Sequence, residues 1–205
     1  MNDPATVFLV DDQASVLKAM SRLMRLAGFK TAVFGSAAEF LDSDNADALG
    51  CLVLDLSMPG MSGMELHQEL ARRSSRLPVI FLTGDGDIGT SVQAMKLGAV
   101  DFLTKPVKSA TLLAAVREAI EKSRRINAHN TATEKIHLCL ARLTARERDV
   151  LGLVLSGKLN KQAAAALGTV EQTIKVHRAR VMKKMEVTSV AELVRLMERT
   201  NSRIE

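Results

Sequence analysis

Tryptophan and tyrosine are absent from this chain of 205 residues, and its six phenylalanines all precede residue 103. The second half therefore has no Phe, Tyr or Trp ring on which a nucleic-acid base could stack. That excludes recognition of single strands or RNA loops by aromatic platforms. Double-helical DNA read by a helix stays open. Cysteine is nearly missing too. Cys51 and Cys139 lie in unrelated segments, too few for a disulfide framework or a thiolate zinc site, and this sparseness fits a reducing cytosol. No apolar run approaches the ~18 residues that span a bilayer. The opening Met-Asn-Asp-Pro carries an acid and lacks the basic start of a signal peptide. The expectation is a cytoplasmic protein with no membrane partner. What is present is ordinary: 47% hydrophobic and 25% charged residues, the composition of a globular protein rather than a disordered or collagen-like one. At roughly 100–200 residues per domain, the length allows one large domain or two small ones.

The net charge of +5 hides a division. Residues 1–122 hold 12 Lys/Arg and 15 Asp/Glu, whereas residues 123–205 hold 16 Lys/Arg and 8 Asp/Glu. An acidic module followed by a basic one points to a polyanionic partner for the second. A solubilising tail is the competing reading.

The first half alternates strand and helix patterns. Thr6–Asp11 and Cys51–Asp55 are continuous apolar runs ending in acid, and Pro78–Thr83 ends in a hydroxyl. Thr31–Phe34 and Val100–Thr104 complete a set of five. Runs without alternation read as parallel strands buried on both faces. Between them, Val16, Ala19, Met20, Leu23 and Leu26 follow helical spacing, with Gly28 as the C-terminal stop. Ser36–Glu39 and Ser62–Glu65 have the capping-box spacing. Val92, Met95 and Lys96 precede Gly98, and Ser109 is placed to cap a helix reaching about Arg125. Repeated strand–helix alternation predicts an open parallel α/β sheet. Function in such sheets sits at the carboxyl ends of the strands, here Asp11, Asp12, Asp55, Thr83 and Lys105.

Three converging carboxylates need a cation. An all-oxygen donor set without Cys or His favours Mg²⁺, with Mn²⁺ or Ca²⁺ able to substitute. One carboxylate can act as a nucleophile toward phosphorus. Lys105 can hold a phosphoryl oxygen as a point charge and Thr83 can donate to another. The Lys105–Pro106 bond is a candidate for the cis form.

Val-Phe-Leu-Val-Asp11-Asp12, Leu-Asp55-Leu-Ser-Met-Pro59-Gly60-Met-Ser-Gly63, Phe-Leu-Thr83-Gly84 and Asp101-Phe-Leu-Thr-Lys105-Pro106 resemble the receiver domain of two-component response regulators. The resemblance covers about residues 4–122. It implies a doubly wound, flavodoxin-like sheet of five strands in the order 2-1-3-4-5. It also implies that Asp55 accepts phosphate from a sensor histidine kinase. Asp11, Asp12, Asp55 and the backbone carbonyl of Ser57 would then hold Mg²⁺, and Thr83 and Phe102 would form the switch pair. Purely structural roles compete: Asp11 and Asp12 as helix caps, Asp55 as a strand end, Phe102 as core filler. Gln13, Asp85 and Gly89 depart from common receiver sequences and bear on phosphate lifetime.

Residues 123–140 read as a linker in which a helix is allowed but not required, with Ile136, Leu138, Leu140 and Leu143 weakly amphipathic across its end. Thr144–Glu147 has capping-box spacing and opens a helix through Val150, Leu151 and Val154, ended by Gly157. Asn160 is placed to cap a short, alanine-rich helix over Lys161–Leu167. Thr169–Gln172 is placed to open a helix to about Met185, and Ser189–Glu192 a last one. Two short helices around a glycine-containing turn form a helix-turn-helix pattern. On the second of them, Ile174, Val181 and Met185 make a core stripe. Gln172, Lys175, Val176, Ala179 and Lys183 lie roughly opposite, where Lys175 can reach guanine and Val176 a thymine methyl. Thr173, His177, Arg178, Arg180 and Lys184 flank that face and suit phosphates.

Leu143-Thr-Ala-Arg-Glu147-Arg-Asp-Val-Leu151, Asn160-Lys161 and Thr173-Ile-Lys175-Val-His177-Arg resemble the LuxR-type helix-turn-helix of the FixJ/NarL class. This second resemblance covers residues 141–200, a small all-α DNA-binding domain. Ala179 stands where that class often has a polar or basic residue, and Asn160-Lys-Gln-Ala replaces Asn-Lys-Glu-Ile. Together the halves imply a transcription factor switched by phosphorylation. Promoter DNA, a kinase and a second copy of the chain are its partners, and RNA polymerase is a further candidate. It is not an enzyme, beyond slow self-hydrolysis of the aspartyl phosphate. A Mg²⁺-dependent phosphatase would need an acid two residues after Asp55, where Ser57 stands. A non-DNA adaptor with an acidic protein partner is the other alternative.

Overall fold

The computed structural model describes residues 5–43, 45, 48–84 and 88–200. The expectations for Asp85 and the first four residues lie outside them. The chain separates into two units, Met1–Asn127 and Ala128–Glu205.

In the first unit, β1 (Thr6–Val10), β2 (Lys30–Phe34), β3 (Gly50–Asp55), β4 (Val79–Thr83) and β5 (Asp101–Thr104) form one sheet. All pairs are parallel and the order is β2-β1-β3-β4-β5. The alternation of side chains along a strand divides the apolar runs between two cores. Val7, Leu9, Val53 and Leu82 face one side, under α1 (Ala14–Leu26) and the start of α5 (Ser109–Ala141). Phe8, Val10, Leu54 and Phe81 face the other, under α2 (Ala37–Asp42), α3 (Gly63–Arg72) and α4 (Ile88–Lys96). Both faces are covered, so the strands carry no polar alternation.

Of the α1 positions expected on one face, Val16, Met20 and Leu23 do pack on the core. Leu17, Met20 and Met24 face the core, whereas Ala19 is exposed and Leu26 is 79% exposed. Leu26 is the last residue of the helix. Ser62 and Glu65 form the reciprocal capping box at α3. At α2 the box is displaced by one residue: Ser36 accepts from the Glu39 amide, but Glu39 accepts from Gly35. Helix α5 does not stop near Arg125. It runs 33 residues through the segment expected as a linker, and Ser109 is its first residue, with the Leu112 amide reaching Lys108. No proline or glycine lies between Ser109 and Ala141 to break it.

The second unit is helical: the end of α5, then α6 (Ala145–Leu155), α7 (Asn160–Ala166), α8 (Glu171–Lys184) and α9 (Val190–Thr200). Its core joins Ile136, Cys139, Leu143, Leu151, Ile174, Val181 and Leu193. Ile136, Cys139 and Leu143 are spaced i, i+3 and i+7 on one face, and Leu138 lies off that stripe, 59% exposed. Thr144 and Glu147 form their capping box. The other two expected starts shift. Leu159, not Asn160, precedes α7, and Val170 precedes α8 without a side-chain cap, so the Thr169–Gln172 box does not form. Asn160 instead accepts from Arg178 on α8 at 3.0 Å. At α9, Ser189 accepts from the Glu192 amide, and Glu192 reaches back to Thr188.

Glu147 is the buried acid of this unit. Its carboxylate accepts from Lys184 at 2.6 Å, as well as from the Thr144 amide. The Lys184 bond first, then the Thr144 amide, hold its pKa at about 2, below the ordinary 4.5. A depressed carboxyl contributes stability above its unfolded pKa and loses it as pH falls through the folded one. The second unit should therefore loosen between about pH 4.5 and pH 2. Hydrogen exchange of α6 and α8, corrected for intrinsic rates, should accelerate over that window in wild type and much less in Glu147→Gln. Equal behaviour of the two proteins would remove Glu147 as the acid-sensitive group.

Candidate functional site

Register places the chemistry. Val10 is opposite Leu54, so Asp11 lies beside Asp55, the last residue of β3. Thr83 is opposite Thr104, so Lys105 follows one residue beyond. Asp11, Asp55, Thr83 and Lys105 thus meet at one edge of the sheet, where the strands end. Asp11 and Asp55 are buried, Thr83 is 1% exposed, and Asp12 is exposed. The Lys105–Pro106 peptide is cis.

Lys105 Nζ donates to Asp11 Oδ2 at 2.7 Å and to Asp55 Oδ1 at 2.9 Å. The Gln13 amide donates to the other Asp11 oxygen. One oxygen each from Asp11, Asp12 and Asp55 lies within 4.8 Å of the others. Burial pushes the Asp55 carboxyl above its ordinary pKa, and Asp11 and Asp12 add to that by repulsion, while Lys105 works against it. Burial disfavours the Lys105 ammonium, yet its bonds to Asp11 and Asp55 raise its pKa on balance. Three carboxylates and one ammonium leave a deficit of positive charge. A hard divalent cation with oxygen ligands fits that donor set. Ser57 is exposed in the loop after β3. Gly63 closes the same loop against the strand end: a Cβ there would lie 2.2 Å from the Asp55 carbonyl oxygen. Phe102 on β5 is half-buried, its ring centroid 6.4 Å from that of Phe81.

On α8, Ile174, Val181 and Met185 point into the core. Gln172, Lys175, Val176, Ala179, Arg180 and Lys183 are exposed together, while Thr173, His177 and Arg178 are half-buried. Lys175 pairs loosely with Glu171 at 3.4 Å, both exposed, a surface pair worth ~0.3–0.5 kcal/mol that leaves the lysine available. Two flanking cations serve inside the unit. Arg178 bonds Asn160, and Lys184 bonds Glu147 and the Arg142 carbonyl. Sequence reading missed the Glu147–Lys184 pair and the bond from Arg146 to the Leu167 carbonyl. These pairs are 37 and 21 residues apart in sequence, and no local spacing announces them.

The two halves match two family patterns. Residues 7–117 match the response regulator receiver domain, and residues 141–197 match the bacterial regulatory proteins of the luxR family. The chain belongs to the response regulators of the FixJ/NarL type: two-component transcription factors with a receiver domain followed by a LuxR-type DNA-binding domain. Among its relatives is Nodulation protein W of Bradyrhizobium diazoefficiens, 44% identical over 95% of this chain and 86% of that one. Response regulator protein TmoT of Ectopseudomonas mendocina is 43% identical over 97% and 91%. Transcriptional regulatory protein FixJ of Azorhizobium caulinodans is 40% identical over 96% and 93%. Of solved structures, response regulator StyR matches with a TM-score of 0.89 at 41% identity, covering 96% of this chain and all of that one. No helix among the described residues is long and apolar enough to cross a membrane.

If Lys105 is what restrains the Asp55 carboxyl, Lys105→Ala should raise the Asp55 pKa further in metal-free protein. Carboxyl-selective ¹³C NMR titration reads this directly. An Asp55 midpoint unmoved by the substitution would contradict the charge assignment.

Proposed function

We propose that Asp55 is the phosphoacceptor and that its phosphorylation by a sensor histidine kinase drives dimerisation and sequence-specific binding to promoter DNA. The observation that carries this is the buried Asp55 held by Lys105 beside Asp11 and Asp12. Lys105 takes Oδ1 of Asp55, and the second oxygen attacks the phosphorus as the bond to the kinase imidazole nitrogen breaks. Asp11, Asp12, Asp55 and the Ser57 carbonyl are the residues that would hold Mg²⁺. The ion supplies charge compensation for the incoming phosphoryl group. Lys105 and Thr83 bind phosphoryl oxygens, and slow hydrolysis of the acyl phosphate resets the state. A hollow of about 630 Å³ beside Lys105 and Pro106, lined by Val16, Met20, Leu23 and Leu112, supports docking of the kinase against this end of the sheet.

Thr83 and Phe102 act as the switch pair and repack α4 and β5, a two-state shift biased by a local charge. Val92, Met95 and Leu97 are 47%, 49% and 41% exposed. Those apolar side chains are the surface on which a second copy packs. Pairing two α8 helices raises affinity through effective concentration. Gln172, Lys175, Val176, Ala179 and Lys183 face the groove, and Thr173, His177 and Arg180 meet phosphates. Arg178 reaches the backbone only from its place on Asn160. RNA polymerase is the partner through which a bound activator would act.

Acetyl phosphate with Mg²⁺ should dimerise wild type and tighten its promoter binding, and should do neither to Asp55→Ala. Light scattering and electrophoretic mobility read the two effects. Unchanged behaviour of Asp55→Ala would sink the switch. Lys175→Ala should cost ~1–3 kcal/mol on the specific site and little on random duplex if the lysine reads a base. A uniform loss on all sequences would make it a phosphate contact instead.

A further inference from the structure

Asn160 opens α7, yet its side chain does not cap the helix. Its Oδ1 accepts from Arg178 Nη1 on α8 at 3.0 Å, a contact between residues 18 apart in sequence. The start of α7 is held by other groups. The Leu159 amide donates to Gln162 Oε1 at 2.9 Å, and the Ala163 amide donates to the Leu159 carbonyl at 2.9 Å. The Asn160 carboxamide therefore serves Arg178 rather than the helix it begins.

Arg178 has an unusual setting for a cation. It follows Ile174 by four residues and precedes Val181 by three, so it lies at the margin of the core stripe of α8. Among the described residues of the second unit, three Lys/Arg side chains are half-buried: Arg146, Arg178 and Lys184. Arg146 faces Asp149, and Lys184 faces Glu147. Such pairing is what partial withdrawal from water demands of a charge. Arg178 meets only a neutral oxygen. A carboxylate at that place would orient the guanidinium and cancel its charge. A carboxamide orients it and leaves the charge whole, with the remaining N–H groups directed elsewhere. One turn earlier on α8 stands Lys175, exposed on the face assigned to the groove.

We propose that Asn160 is a positioning residue for DNA binding: it holds Arg178 ready, still charged, for a backbone phosphate at the edge of the groove. The proposal rests on the reading of α8 as the DNA-facing helix. An arginine already ordered before contact loses less freedom on binding, an advantage of about three- to tenfold in Kd.

The test uses the full chain with acetyl phosphate and Mg²⁺ on a mixed-sequence DNA duplex, because a phosphate contact acts on every sequence. Fluorescence anisotropy gives the Kd per bound protomer at several KCl concentrations. Arg178→Ala should raise the Kd about tenfold and reduce the salt slope by about one. Asn160→Ala should raise the Kd about three- to tenfold with the slope unchanged, since the charge still arrives. In the Arg178→Ala background, Asn160→Ala should add nothing. Asn160→Asp keeps an acceptor for Arg178 but neutralises it, so its slope should fall as in Arg178→Ala. Thermal unfolding of each variant checks that the second unit is intact, and Asn160→Asp carries the test should Asn160→Ala not fold. An Asn160→Ala protein that binds like wild type would overturn the proposal. So would an independent loss in the Arg178→Ala background, or a wild-type slope in Asn160→Asp. Absence of salt-sensitive binding by wild type would instead strike the DNA-facing reading of α8, and the proposal with it.

Discussion

A single ammonium shared between two buried carboxylates organises the receiver half. Lys105 reaches Asp11 and Asp55 within 3 Å from a loop beyond the last strand. That bond needs all three strand ends at one level, so it depends on parallel register across β1, β3, β4 and β5. Register in turn depends on apolar runs that fill both faces of the sheet. A one-residue slip would exchange the two cores and move the acids off the edge. The geometry of the acid pocket and the hydrophobic pattern are therefore one constraint seen twice.

The same ammonium is insufficient by itself. Asp12 completes a cluster with more negative than positive charge, and burial already holds the Asp55 carboxyl above its ordinary pKa. Such a donor set is consistent with binding a hard divalent cation. In the proposed reading, this imbalance is what makes phosphorylation a conformational signal. Changing the charge on Asp55 changes which partners Lys105 and Thr83 prefer. The DNA-binding half has the converse arrangement. Its buried acid, Glu147, is satisfied by Lys184 and by a helix cap, and Lys175, Arg180 and Lys183 are exposed on α8.

Much of this was legible in the sequence because the signals are local. Five apolar runs, their terminal acids and hydroxyl, and the order of elements led to the sheet that is found. The exposed face of α8 followed from the positions of Ile174, Val181 and Met185. The failures share a physical cause. Asn160 and Thr169 have capping side chains, yet α7 and α8 each begin one residue from the expected start, and the Asn160 side chain is drawn to Arg178 across the motif instead. Tertiary contact decided between two locally reasonable starts. The long α5 was read as interrupted because its middle is polar. A helix needs no apolar face where it has no neighbour to bury against, only the absence of breakers. Leu26 and Leu138 misled for the opposite reason: hydrophobic character was taken as burial, and only the phase of the surrounding helix shows otherwise.

The central claim is that the three-acid pocket is completed by one divalent cation. Calorimetric titration of Mg²⁺ into the full chain, paired with thermal unfolding, tests it most directly. One saturable site is predicted, with stabilisation of ~2.7 kcal/mol at a hundred times the Kd and a binding isotherm greatly weakened in Asp12→Asn, whose side chain is exposed. Mg²⁺ binding of equal strength in Asp12→Asn, or none in wild type, would contradict the account.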